Sequence, residues 1–352
     1  MGLGTGCPYR IGYGTAGEKN TIADVPGVKV GQVTICENDI RTGVTAVLPH
    51  GGNLFREKVP AAAAVINGFG KTMGLVQIEE MGTIETPILL TNTLSIGTAA
   101  TALIRYMLAQ NPEIGRETGT VNPVVCECND GFLSDIRSLY VRESHVWEAI
   151  ETASDTVAEG CVGAGPGMSC LGFKGGIGSA SRVLTLDGQR FTIGALTLCN
   201  FGQAGRLIVN GERLGETIPA AMTKEDKGSV IMLLATDLPL SSRQLKRLCR
   251  RAGAGLARTG SYYGNGSGDI AIAFSTVNRI PHVSEQAVLS FRVLHDDFMD
   301  PALDLAAETV EEAIISALWH AETTTGRDGH IRYSLQDALI SCRKDKGGTE
   351  RP

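Results

Sequence analysis

Strand-like and helix-like segments alternate along the chain's 352 residues, which predicts a layered α/β fold with sheets covered by helices. Three observations carry that prediction. Short apolar runs closed by Gly, Pro or Asn recur at intervals. Apolar stripes at helical spacing separate several of them. One long apolar run, residues 229–236, reads as a strand buried on both faces. Composition agrees: 43% of residues are hydrophobic and 20% charged, which is ordinary for a globular chain, and the length allows one large domain or two. Aromatic residues are only 5%, so the core must be built from Ala, Val, Ile and Leu.

Residues 44–49 form the first clear strand pattern, closed by Pro49 and Gly51-Gly52. Residues 61–66 give a second, closed by Asn67-Gly68, and residues 87–90 a third, ending at Thr91-Asn92. A long helix is predicted next, with Ile96, Ala99, Ala100, Leu103, Ile104 and Met107 on one stripe. Val124 and Val125 end a strand before Glu127-Cys128-Asn129-Asp130-Gly131. Residues 145–159 read as a helix and are followed by a Gly-rich stretch, 163–178. A strand over 191–198 ends at Cys199-Asn200-Phe201-Gly202. Residues 210–228 are polar and contain Lys224-Glu225-Asp226-Lys227, the pattern of an exposed loop. The buried strand from Ser229 follows. A basic helix is predicted over 241–258, a strand over 269–275, and a last helix striped by Leu303, Ala306, Val310, Ile314, Ala317 and Leu318. Residues 343–352 are polar and are expected to form a disordered tail.

Several function classes are disfavoured. The net charge is −6 and no basic stripe runs along any segment, so nucleic acid is not an expected partner. No run of about 18 apolar residues suits a membrane span, and the first twenty residues hold no apolar stretch of signal-peptide length. Nine scattered cysteines, with no Cys-x-x-Cys pair, suit free thiols in a reducing cytoplasm. His50, His145, His282, His295, His320 and His330 show no metal-ligand spacing, so no metal or other cofactor is expected. There is no Gly-x-Ser-x-Gly elbow and no His-Glu-x-x-His. Gly163-Ala164-Gly165-Pro166-Gly167 follows a helix rather than a strand, and Pro166 breaks a dinucleotide fingerprint.

The informative place is the junction at Gly228 and Ser229, where a charged loop runs directly into a serine that starts a buried strand. Glycine allows backbone angles closed to other residues, so the peptide bond after it can be bent. A hydroxyl just beyond that bond can attack the preceding carbonyl, and hydrolysis of the ester frees the serine's α-amine. That amine, with a pKa of about 7.7–8.0, can deprotonate its own side chain. Gly-Ser also fits a plain turn before a strand, and the two residues alone leave both readings open.

Gly228-Ser229-Val230-Ile231-Met232 resembles the processing site of the DmpA/BapA family, the P1 or S58 family peptidases that include L-aminopeptidase/D-esterase-amidases and β-peptidyl aminopeptidases. Residues 20–31, Asn20-Thr21-Ile22-Ala23-Asp24-Val25-Pro26-Gly27-Val28-Lys29-Val30-Gly31, resemble the family's opening. Residues 42–49, Gly163-Ala164-Gly165-Pro166-Gly167 and Lys174-Gly175-Gly176-Ile177-Gly178 resemble its later blocks, so the likeness runs over residues 20–325. The resemblance implies an αββα sandwich, similar in architecture to N-terminal nucleophile hydrolases but differently connected. It implies a single domain cut into an α chain, 1–228, and a β chain, 229–352, that assemble as αβ units, as a tetramer in relatives. It also implies a serine aminopeptidase or amidase acting on small peptides, amides or esters.

By that resemblance Ser229 is the nucleophile, and Ser267 and Asp269 lie beside its new amine. The family has Glu where this chain has Asp269, which keeps the carboxylate and shortens its reach. Asn200 supplies an amide donor to the oxyanion. Glu127 binds the substrate's cationic amino terminus, and Asn129 lies in the substrate site where some relatives have Tyr. Read on their own, Asn200, Ser267 and Asp269 are also ordinary turn residues, and Glu127 an ordinary partner for an Arg. Ornithine acetyltransferases are similar in architecture and cut themselves before a threonine; serine at 229 and the N-terminal motifs favour the peptidase. An uncleaved binding protein is the other alternative, opposed by the presence of Ser229, Asn200 and Ser267.

Overall fold

The computed structural model describes residues 7–9, 11–218 and 228–347, the last five of them by backbone alone. In chain order the strands and helices are β1 (Lys29–Glu37), β2 (Ile40–Leu48), β3 (Glu57–Gly68), α1 (Leu75–Met81), β4 (Thr83–Ile84), β5 (Ile88–Asn92), α2 (Ile96–Gln110) and β6 (Val124–Cys128). There follow α3 (Glu143–Glu151), β7 (Ser169–Cys170), β8 (Phe173–Lys174), β9 (Gly176–Leu186), β10 (Gln189–Asn200) and β11 (Ser229–Thr236). The chain ends through α4 (Ser242–Arg258), β12 (Gly268–Ser275), β13 (Ile280–Pro281), α5 (Met299–Trp319), β14 (Thr324–Thr325), β15 (Ile331–Arg332) and α6 (Leu335–Gly347).

These elements stack as four layers. The larger sheet runs β13-β3-β12-β11-β10-β9, with β4 beside β3; the smaller runs β1-β2-β5-β6. One core cluster lies between the large sheet and α4 and α5, holding Met232, Leu234, Leu248, Ala271 and Val310. A second fills the space between the sheets, with Val47, Ile88 and Val124 facing Leu198, Ile231, Leu233 and Ile272. A third packs the outer face of the small sheet on α2 and α3 through Leu89, Val125, Leu103 and Val146. The αββα sandwich is therefore the observed architecture. Alternation along β11 sends Val230, Met232 and Leu234 to the helices and Ile231, Leu233 and Ala235 to the other sheet. All eight of its residues are buried, which explains a run with no polar face. Each large aliphatic side chain there contributes about 1.5–3 kcal/mol through burial.

The structure departs from the sequence reading in three places. The helix expected over 145–159 ends at Glu151, because the chain turns to pair with the edge of the small sheet. Val30 N–H donates to Ser154 carbonyl at 2.8 Å and Ser154 N–H to Val30 carbonyl at 3.0 Å, and these bonds replace further helical turns. Within the segment expected as an exposed polar loop, residues 214–217 form a 3-10 turn with Gly215 and Ile218 buried. Lys224-Glu225-Asp226-Lys227 lies outside the described residues. The tail expected to lack structure from residue 343 is helical to Gly347, since α6 continues without a break.

Candidate active site

Ser229 opens β11 at the centre of the large sheet. Antiparallel pairing places it opposite Asn200, the last residue of β10, and parallel pairing sets Val230 beside Asp269 in β12. Ser229 and Asn200 share the strand parity of Ile231 and Leu198, so both side chains belong to the face turned toward the small sheet. Gly268 N–H donates to Ser229 Oγ at 3.2 Å. A Cβ at Gly268 would lie 3.0 Å from that oxygen and 2.9 Å from the Phe69 carbonyl oxygen, so a larger residue would crowd the Ser229 hydroxyl. Gly228 has its own packing reason: a Cβ there would collide with the Asn200 carbonyl. Ser229 itself is 7% exposed.

The Asn200 amide is held at both ends. Its Oδ1 accepts Ser169 N–H at 2.8 Å and its Nδ2 donates to the Asn129 carbonyl at 2.9 Å. Because Oδ1 is committed to a donor, Nδ2 is fixed as the donor end, and its second hydrogen remains available. Ser169 is in turn held by Arg332, whose Nε donates to Ser169 Oγ at 3.1 Å.

Ser267 and Asp269 flank Gly268. Ser267 Oγ donates to Asp269 Oδ1 at 2.6 Å, while Asp269 Oδ2 is buried with no hydrogen-bond partner among the described residues. Burial pushes the Asp269 carboxyl up to about 6, against the lowering effect of the Ser267 hydroxyl. The loop that carries them is tied down by Asn67, whose Nδ2 donates to the Ser267 carbonyl and, at 3.1 Å, to the Gly264 carbonyl.

Glu127 is 2% exposed yet pairs with no arginine or lysine side chain among the described residues. Its Oε1 accepts Lys71 N–H at 2.8 Å and its Oε2 accepts the Thr93 hydroxyl. Gly70 connects it to the corner around Ser229: a Cβ at Gly70 would lie 3.5 Å from Glu127 Oε1 and 3.6 Å from Gly268 Cα. A carboxylate held by two neutral donors keeps its negative charge uncompensated, which suits it to a cation. Asn129 enters chiefly through its backbone. Its carbonyl orients Asn200, while its exposed side chain accepts Gly131 N–H at 2.9 Å in a local turn.

The structure thus brings Ser229, Asn200, Ser267, Asp269 and Glu127 to neighbouring strand ends. It also supplies residues that no spacing in the sequence indicated: Ser169 behind Asn200, Thr93 and the Lys71 amide behind Glu127, and Gly268 N–H at the Ser229 hydroxyl. The Cys128 thiol donates to the Ser229 carbonyl at 3.3 Å. Burial raises it well above the usual thiol range, so it stays protonated. Among the described residues, no group of three His, Cys, Asp or Glu side chains is arranged to hold a metal ion, and no helix is long and apolar enough to cross a membrane.

Comparison with known proteins converges on one group. The family model described as peptidase family S58 matches residues 20–332. The β-peptidyl aminopeptidase BapA of Sphingosinicella microcystinivorans is 38% identical over 361 residues, covering 95% of this chain and 89% of that protein. The crystal structure of the PH0078 protein from Pyrococcus horikoshii OT3 superposes with a TM-score of 0.91 at 49% identity, covering 97% of this chain and 98% of that one. The L-aminopeptidase D-Ala-esterase/amidase from Ochrobactrum anthropi superposes with a TM-score of 0.87 at 37% identity, covering 96% and 97% of the two chains. That protein is described as a prototype for the serine aminopeptidases and a new variant among the Ntn hydrolase fold.

Proposed function

The chain belongs to peptidase family S58 and is a serine aminopeptidase of the N-terminal nucleophile type, and from that premise we propose that it makes its own nucleophile by breaking the Gly228–Ser229 bond. Ser229 Oγ attacks the Gly228 carbonyl carbon, the C–N bond breaks as an ester forms, and water cleaves the ester. The products are a carboxylate on Gly228 and a free α-amine on Ser229, in the fragments 1–228 and 229–352. The observation that carries this reading is the position of Ser229 Oγ, hydrogen-bonded to Gly268 N–H directly after the bond to be cut and across the sheet from the Asn200 amide.

In turnover, the new amine takes the Oγ proton and Oγ attacks the substrate carbonyl. The free hydrogen of Asn200 Nδ2 meets the oxyanion. Glu127 receives the substrate's ammonium, which selects a free amino terminus. Asp269 Oδ2, buried without a partner, accepts an N–H of the liberated amine, and Ser267 holds the carboxylate in place. The amine's proton passes to the leaving group, and water attacks the acyl-serine by the same route.

The substrates proposed are small peptides and amino-acid amides or esters. The αβ units are proposed to associate as a tetramer, and the nine free thiols support a reducing cytoplasm. The test is Ser229→Ala, assayed for chain length and for p-nitroaniline release from an aminoacyl p-nitroanilide. The reading requires one uncut chain without activity; a variant releasing p-nitroaniline at the wild-type rate would overturn it.

A further inference from the structure

A pocket of about 200 Å³ opens beside the nucleophile, lined among others by Phe201, Arg206, Gly228, Tyr262, Asn265 and Ser267. It touches the reaction centre twice, at Gly228, which is bonded to Ser229, and at Ser267, which holds Asp269. Gly70, Lys71 and Thr93, the corner around Glu127, do not line it. The corner that holds Glu127 is thus separate from the pocket's described lining. A substrate whose ammonium sits on Glu127 and whose carbonyl reaches Ser229 Oγ carries its leaving amine beyond that carbonyl, and this pocket borders the Ser229 corner at Gly228 and Ser267 without including the Glu127 corner.

The pocket's chemistry is specific. Among its described lining residues there is no aspartate or glutamate, and Arg206 is the single formal charge. The Arg206 guanidinium lies 4.6 Å from the centre of the Tyr262 ring, and no ion pair to a carboxylate is found for it among the described residues. Stacking on a tyrosine face restrains the guanidinium while leaving its N–H edge free for a planar, bidentate acceptor. The volume is below the ~300–1,000 Å³ of pockets that enclose drug-sized ligands, so it suits one residue rather than a long peptide.

We propose that this pocket is the leaving-group subsite and that Arg206 binds the C-terminal carboxylate of the departing amino acid, which makes dipeptides with a free carboxyl group the preferred substrates. The inference rests on the aminopeptidase reading and names the leaving group for that site. The rival occupant of the same chemistry is the carboxylate left on Gly228 by self-cleavage, which also borders the pocket.

The test uses the processed enzyme and three substrates with the same first residue: the aminoacyl-glycine, its C-terminal amide and the aminoacyl p-nitroanilide. The wild type is expected to show a kcat/KM for the free acid about tenfold above that for the amide. Arg206→Gln brings the ratio near one, and Arg206→Glu inverts it. An equal ratio in wild type and Arg206→Gln, whether because Gly228's carboxylate keeps the pocket filled or because nothing is read there, overturns the proposal. Loss of p-nitroanilide turnover in the wild type is a different failure, since it removes the aminopeptidase reading itself.

Discussion

At the scale of single residues, the site depends on polar groups whose orientation is set by a neighbour. Asn200 is the clearest case. Ser169 N–H claims its oxygen, so the amide cannot flip and present an acceptor to a developing negative charge. On its proposed oxyanion role, Asn200→Ala should lower kcat by about 10²–10³, the usual effect of losing one such donor, with a smaller change in KM. Steady-state kinetics on an aminoacyl p-nitroanilide measures this, and an unchanged kcat would remove Asn200 from the mechanism. Asp130 makes a prediction about stability. It is fully buried, and burial pushes its carboxyl up to about 7 against the lowering effect of Thr42 and Asn92. A carboxyl with a raised folded-state pKa binds its proton more tightly in the folded than in the unfolded chain. Its contribution to stability is complete below the ordinary carboxyl range near pH 4 and is lost as the pH rises through 7. Melting temperature should fall between pH 5 and 8 in the wild type, and less steeply in Asp130→Asn. A residual slope remains from Asp269, shifted in the same direction. Identical slopes in the two proteins would contradict the assignment.

At the scale of elements, the Gly-rich stretch is a scaffold organised by one lysine. Lys174 is fully buried and its Nζ donates to the carbonyls of Gly165, Met168 and Gly175 at 2.9, 3.1 and 2.8 Å. Burial lowers its pKa, and the three carbonyls compensate its charge. Lys174→Met leaves those carbonyls without a donor and should cost about 3 kcal/mol or more in stability, read from the denaturant midpoint. Since this stretch leads into Ser169, self-cleavage should slow as well. At the junction, Gly228→Ala drives a methyl group into the Asn200 carbonyl, so uncut chain should accumulate on a denaturing gel. These elements also show how far the sequence could be read. β11 was legible because a strand covered on both faces needs no polar residues, and α2 and α5 because their buried stripes follow helical spacing. The Ser229 junction was legible because a charged loop meets a buried strand there. The supports were not. Lys71 N–H reaches Glu127 across 56 residues and Ser169 reaches Asn200 across 31, pairings that no local period records. Nor does any spacing mark Lys174 as the side chain on which three carbonyls of the Gly-rich stretch converge.

At the scale of the molecule, the proposed cut divides a sheet without separating it. β11 and β12 follow the cut, and each is hydrogen-bonded to a strand that precedes it, β11 to β10 and β12 to β3. α4 and α5, also after the cut, cover strands from both sides of it. The fragments 1–228 and 229–352 should therefore elute together on size exclusion and separate only in denaturant; elution as separate species would contradict the shared core. The proposed cleavage would also change the site's electrostatics, by creating an amine next to Asp269, whose Oδ2 is otherwise unpaired among the described residues. The account stands on that covalent event. Intact mass spectrometry with N-terminal sequencing of the purified, active enzyme tests it most directly. We expect two chains, one beginning Ser-Val-Ile-Met; full activity in a preparation holding only the unbroken chain would contradict it.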